Sequence, residues 1–172
     1  MTTNKSFRAI PDLCTGCRLC ELVCSLKKTG TINPCLARIR VFSSNDDGSS
    51  TPVICRHCKK PPCQQACPVP EAMYLDAETG AVVINDAECI GCLACMDACP
   101  FGAMRVGPEK EPLKCDLCDG DPVCVKYCPT RPEHQFPGLL YGQASALEYV
   151  EPHRVTRREP LAPSGERETA PK

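Results

Sequence analysis

The cysteines at 89, 92, 95 and 99 stand in the run Cys89-Ile90-Gly91-Cys92-Leu93-Ala94-Cys95-Met96-Asp97-Ala98-Cys99-Pro100, which reads C-x2-C-x2-C-x3-C-P. Three thiolates on one tight loop can each cap an iron of a single cubane. The fourth, set before a proline, points away and can ligate a second cluster; this is the spacing that holds 4Fe–4S clusters in pairs. Pro100 donates no N–H and stops the local turn from continuing as a helix. Such a run calls for a partner elsewhere, and the sequence carries three more. Cys14, Cys17, Cys20 and Cys24 repeat the spacing, with Ser25 where the proline would stand. Cys55, Cys58, Cys63 and Cys67 read C-x2-C-x4-C-x3-C-P, and Cys115, Cys118, Cys124 and Cys128 read C-x2-C-x5-C-x3-C-P. Four copies of one cysteine theme form an internal repeat.

Pairing follows in part from the order of the motifs. If each fourth cysteine crosses to its partner motif, proximity pairs the second motif with the third and leaves the first with the fourth. Four ligand sets result: Cys14, Cys17, Cys20 with Cys128; Cys115, Cys118, Cys124 with Cys24; Cys55, Cys58, Cys63 with Cys99; and Cys89, Cys92, Cys95 with Cys67. The cofactors expected are four 4Fe–4S clusters. Structural zinc is the chief rival, because it also uses C-x2-C pairs. Zinc, however, needs two such pairs brought together by a finger of chain, whereas here a third cysteine comes soon after each pair and a proline comes after the fourth in three motifs. Cys35 is left over and reads as a plain thiol behaving as a small hydrophobe. His57 reads as a loop residue near a cluster, and His134 and His153 as solvated. Lys59, Lys60 and Lys114 flank ligands; each could offset cluster charge or be an ordinary solvated lysine.

The composition agrees. Among 172 residues there are 17 Cys and 18 Pro, no Trp, four Phe and four Tyr, so bulky core anchors are scarce and another source of order is needed. The formal net charge of −1 gives no basic excess for nucleic acid. No secretion signal, twin arginine or apolar run of membrane-spanning length is visible, which gives a cytoplasmic reading without a direct membrane span. In a reducing compartment dense cysteine argues for metal ligands rather than disulfides. There is no nucleophile elbow, P-loop or dinucleotide fingerprint. With cysteine filling every cluster position, electron transfer rather than substrate chemistry is expected, and no catalytic residue is assigned.

The elements that must position the cysteines are short. Residues 18–28 have helix-compatible composition. Residues 38–42 alternate as a strand, 43–50 form a turn, and 51–54 return at a sheet edge because of Pro52. Residues 73–76, 77–80 and 82–85 read as strand, turn and strand, and 101–106 as a further short strand. Residues 143–150 read as a short helix. The fold class expected is α+β: two interleaved bacterial ferredoxin-like halves with short hairpins and short helices, plus an extended C-terminal tail. The cluster-bearing domain spans 1–130, with an inner unit at about 53–107 and an outer unit from 7–30 plus 110–130. Residues 131–172 lack cysteine and read as a docking tail, which could also mediate self-association.

The four motifs over about residues 7–130, with the x4 insertion in the second and the x5 insertion in the fourth, resemble the four-cluster subunits of the dimethyl sulfoxide reductase B-subunit-like group. The resemblance implies an electron-transfer subunit between a catalytic oxidoreductase subunit and another carrier, such as a flavin or ferredoxin electron partner. The pattern is similar to the small iron–sulfur subunit of tungsten-dependent aldehyde oxidoreductases; hydrogenases, formate dehydrogenases and carbon monoxide dehydrogenases use related subunits. The family's pairing of motif one with four and two with three agrees with the sets above. A free polyferredoxin is the alternative, and a zinc-bound interaction module a more distant one.

Overall fold

The structure, a computed structural model, describes residues 6–131 and 145–150. The length of each helix depends on the residue after the fourth cysteine of its motif. Where that residue is proline, the helix is a single turn: α2 (Pro62–Gln65), α3 (Ala94–Asp97) and α4 (Val123–Lys126) each have 4 residues and stop just before Cys-Pro. In the first motif Ser25 replaces proline and α1 (Leu19–Thr29) runs on for 11 residues. The Ser25 hydroxyl donates to the Leu22 carbonyl at 2.9 Å and accepts the Asn33 N–H at 3.1 Å. The serine thus both continues the helix and ties down the loop behind it. Gly30 ends α1 in the left-handed region, φ 72°, its N–H bonded to the Leu26 carbonyl at 2.9 Å. Lys27 and Lys28 complement the helix dipole in the last turn.

The strands form four separate antiparallel pairs among the described residues. β1 is Ser6–Ala9, β2 Ile39–Ser43 and β3 Ser50–Ile54. β2 and β3 pair from Ile39↔Ile54 to Ser43↔Ser50, with Ile39, Val41 and Ile54 facing inward. Pro52 is tolerated opposite Val41 because this two-stranded sheet has only edges. β4 (Met73–Leu75) and β5 (Val82–Ile84) form the second predicted hairpin, closed by Asp76, whose Oδ1 accepts the Thr79 N–H at 2.7 Å. The strand read at 101–106 survives only as β6 (Arg105–Val106), paired with β7 (Pro112–Leu113). Phe101 and Gly102 instead turn, the Gly102 N–H meeting the Cys99 carbonyl at 3.3 Å.

The segment read as a helix at 143–150 is corrected over its described part. β8 (Leu147–Val150) is a strand, paired with β1 from Ser6↔Val150 to Ala9↔Leu147. The alternation Leu-Glu-Tyr-Val suits a pleated surface better than a helix. Pairing also gives the otherwise unpartnered β1 its backbone bonds, buries Leu147 and sets Phe7 against Tyr149 with ring centroids 5.5 Å apart. So 145–150, inside the stretch read as a tail, packs against β1 and beside the cysteines of the first motif. The rest of that stretch, with His134 and His153, lies outside the described residues.

Two apolar clusters result, and both contain cysteines. The larger joins Phe7, Ile39, Val41, Leu117 and Leu147 to cysteines of motifs one, two and four; the smaller joins Met73, Val82 and Met104 to Cys63 and Cys95. Glu21 on α1 is only 2% exposed, and its Oε1 accepts the Val41 N–H at 2.7 Å, tying the first motif to β2. Replacing Glu21 with Ala would orphan that buried N–H. The expected loss is about 2 kcal/mol, seen as a lower unfolding midpoint of the iron-loaded protein under anaerobic conditions, whereas Glu21→Gln, which keeps an acceptor, should lose less.

Candidate metal centres

Every C-x2-C pair is shaped by one backbone conformation. The residue just before the second cysteine is left-handed in all four motifs: Gly16 at φ 68°, His57 at 45°, Gly91 at 68° and Leu117 at 64°. In motifs one, three and four the residue just after it is left-handed as well, Arg18 at 56°, Leu93 at 62° and Asp119 at 59°. Such turns curl the chain so that successive N–H groups face one concavity, a nest suited to negative charge. The N–H groups of Gly16 and Leu117 accordingly pull the Cys14 and Cys115 thiols down, against the larger upward push of burial. Glycine adopts the turn freely, while His57 and Leu117 each carry a penalty of about 1 kcal/mol or more. Other contacts offset it. Leu117 is fully buried in the larger core, and His57 Nδ1 accepts the Val82 N–H at 3.2 Å.

Eight of the motif cysteines line two pockets, and others act on one another electrostatically. Cys67, Cys89, Cys92 and Cys95 line one pocket, whose other walls include Met73, Ile84 and Leu93. Cys14, Cys17, Cys20 and Cys128 line a second, walled by Val41 and Leu147. Cys55 and Cys99 both lie close enough to act electrostatically on Cys58 and on Cys63. Cys24, Cys115 and Cys118 act in the same way on Cys124. Arg56 of motif two stacks on Phe101, just beyond motif three, at 4.5 Å from the ring centroid and so holds these two motifs together. Electrostatic influence also passes between neighbouring groups: Cys63 acts on Cys95, Cys55 on Cys115, and Cys20 on Cys124. Cys35 belongs to none of the four groups and is exposed.

The chemistry of these places is that of buried sulfur. Burial, reinforced by neighbouring charges, pushes Cys20 up to about 12 and Cys95 to about 11, and raises Cys115 and Cys124 too. Thiols so placed keep their protons at neutral pH unless a metal compensates the thiolate charge. The donors around them suit a cluster: the Arg38 N–H meets Cys24 Sγ at 3.3 Å, and Lys114 Nζ meets Cys55 Sγ at 3.4 Å. His57 is buried and held neutral, its pKa pushed down to about 3 by burial and then by Lys114. Its Nδ1 accepts, so Nε2 carries the proton, and that N–H has no partner among the described residues. A cluster sulfide would satisfy it. Eight of the sulfurs line the two pockets, four to each. An all-sulfur donor set with this spread fits 4Fe–4S clusters.

Two features of the sites were not readable from spacing. Lys114 is buried rather than solvated, and His57 is part of the packing around β5 rather than a loop residue only. Neither change of environment has a signal in composition, since both depend on β5 arriving beside motifs two and four.

The 4Fe-4S dicluster domain family matches residues 47–134, and a 4Fe-4S binding domain matches 11–29. The sequence is 47% identical over 119 residues to the aliphatic sulfonate oxidoreductase, polyferredoxin-like subunit of Pyrococcus furiosus, spanning 69% of this protein and 68% of that one. It is 35% identical over 171 residues to the putative electron transport protein YsaA of Escherichia coli, spanning 92% and 99%. To the B subunit of the anaerobic dimethyl sulfoxide reductase of Escherichia coli it is 35% identical over 150 residues, spanning 76% and 72%. With its cysteine repeats gathered around sulfur-lined cavities and relatives of this kind over most of its length, the protein belongs to the 4Fe-4S dicluster family and is a ferredoxin-type iron–sulfur electron-transfer protein.

Proposed function

We propose that the protein is a non-catalytic relay subunit in which four 4Fe–4S clusters form a single file. The ligand sets are Cys67, Cys89, Cys92, Cys95; then Cys55, Cys58, Cys63, Cys99; then Cys24, Cys115, Cys118, Cys124; then Cys14, Cys17, Cys20, Cys128. The observation that supports this reading is the electrostatic influence between neighbouring groups, of Cys63 on Cys95, Cys55 on Cys115, and Cys20 on Cys124, which runs through the four groups in one order. The two terminal groups each hold an exposed cysteine, Cys92 and Cys17, while the inner groups hold none. Electrons therefore enter and leave at the ends. The inner ferredoxin-like unit, about 53–107, carries two clusters, and the outer unit, 7–30 with 110–130, carries the other two in an interleaved arrangement.

One terminus faces the catalytic subunit of a cytoplasmic oxidoreductase and the other a flavin or ferredoxin carrier. Relatives named as subunits of aliphatic sulfonate oxidoreductase, dimethyl sulfoxide reductase and formate hydrogenlyase support a docked role. A tungsten or molybdenum aldehyde oxidoreductase is the partner we favour, with the C-terminal residues beyond 150 contributing to docking.

Anaerobically purified protein should hold about sixteen irons per polypeptide, four per cluster, with cubane signals in the electron paramagnetic resonance spectrum after reduction. Cys95→Ser should remove or alter the signal of one terminal cluster and leave the other three. Stoichiometric zinc in a colourless protein would overturn the reading, and recovery of the protein without any catalytic subunit under native conditions would favour a free polyferredoxin. Iron removal supplies a second check. The loaded protein should react with a maleimide at Cys35 alone, whereas chelation should expose the remaining thiols and abolish most of the circular dichroism, because binding is coupled to folding. A compact iron-free form would count against this coupling.

A further inference from the structure

Lys114 comes just after β7 and immediately precedes the first cysteine of the fourth motif, yet it is only 7% exposed. Its Nζ has three partners: the Val82 carbonyl on β5, the Cys115 carbonyl at 3.4 Å and the Cys55 sulfur at 3.4 Å. Three acceptors match the three N–H donors of an ammonium group; a neutral amine would turn a lone pair toward one of them. The strand that receives it is fixed, since Val82 is 1% exposed and its N–H is held by His57. The nearby carboxylate of Asp116 is engaged elsewhere, by Lys28 at 2.5 Å, and no ion pair joins Lys114 to a carboxylate among the described residues. A buried cation without an anion is costly. The anions within its reach are sulfurs: its charge acts on Cys58 and Cys63 of motif two and on Cys115 of motif four. It thus stands where Cys55 and Cys115 approach each other, at the junction between the inner and outer units.

Resting on the ligand sets proposed above, we infer that Lys114 is a potential-setting residue at the middle of the relay, its buried ammonium raising the reduction potential of the cluster held by Cys55, Cys58, Cys63 and Cys99, and to a lesser degree that of the cluster held by Cys24, Cys115, Cys118 and Cys124. Reduction adds one electron, and so one negative charge, to a cluster that four thiolates already make anionic. A fixed cation in a low-dielectric interior favours the reduced form over the oxidised one. When the electron moves on, one cluster is oxidised and its neighbour reduced; Lys114 takes no part in the transfer and only biases the populations. Two adjoining anionic clusters would otherwise discourage an electron from occupying the centre of the file.

The test is a redox titration of the loaded full-length protein, followed by electron paramagnetic resonance, on the unsubstituted form, Lys114→Met and Lys114→Arg. Lys114→Met keeps the length of the side chain and removes the charge. With iron content unchanged, it should lower one midpoint by at least a tenfold change in the reduction equilibrium, about 59 mV for a one-electron couple. A second midpoint should fall by less, and two should stay in place. Lys114→Arg should stay closer to the unsubstituted values. Four unchanged midpoints in fully loaded Lys114→Met would overturn the inference. Should Lys114→Met lose iron, the unsubstituted protein and Lys114→Arg are grown with 15N-lysine and studied by pulsed hyperfine spectroscopy of the reduced clusters. A lysine nitrogen coupling present in the first and lost in the second supports the assignment, and no coupling in the first overturns it. Fewer than about sixteen irons in the unsubstituted protein would overturn the four-cluster reading itself, so the two failures are distinguishable.

Discussion

The constraint on which everything else depends is the desolvation of sulfur. Cysteines of all four motifs reach buried positions, and several of them sit inside the apolar clusters beside Ile39, Leu117 and Val82. In that setting a thiolate is costly and a thiol contributes only as a small hydrophobe. The large side chains that could hold such a polypeptide together unaided are few, with no tryptophan and four phenylalanines in the sequence. The cysteines are therefore both the ligands and much of the core. The same residues that ready the protein for iron leave it under-packed when iron is absent, so that cofactor and fold are two descriptions of one equilibrium.

Around that constraint the local structure is economical. A left-handed residue before each second cysteine recurs four times, with glycine where nothing else is asked of the position and with His57 or Leu117 where the side chain has packing to do. Leu117 is the clearest case: its backbone carries the strain of the turn while its side chain fills the larger core. Single-turn helices ending in Cys-Pro hand the fourth cysteine across to the partner motif. The one long helix, α1, appears where serine replaces proline and brings Glu21 to the Val41 amide. The repeats are therefore related without being equivalent: motif one is tied to its hairpin through Glu21 and Val41, motif two through His57 and Val82.

Much of this was legible in the sequence because it is local. Cysteine spacing, the β2–β3 and β4–β5 hairpins and the helix after Cys17 all depend on neighbours along the sequence. What escaped depends on residues distant in sequence. β1 and β8 are four residues each and meet only because residues 6–9 and 147–150 are brought together by everything between them. The later segment carries the alternation of a strand, but nothing beside it along the sequence supplies the partner that makes it one. Lys114 looked like any lysine beside a ligand until β5 covered it. The motif tells which residues can bind; tertiary contacts decide what surrounds them.

The β1–β8 pair also bears on how the molecule is made. Motifs two and three, with the hairpin between them, are contiguous, and the pocket they share takes only Pro112 from beyond them. The cavity lined by Cys14, Cys17, Cys20 and Cys128 is not so contained: one side comes from near the beginning of the sequence, and the strand that seals it, together with Ala146 just before it, is synthesised after all four motifs. Vectorial synthesis thus separates the two units in time, as loop closure over such a span must wait for its distant partner. The first-made motif is the last to be enclosed, and through that interval its thiols stay open to whatever machinery delivers iron and sulfide.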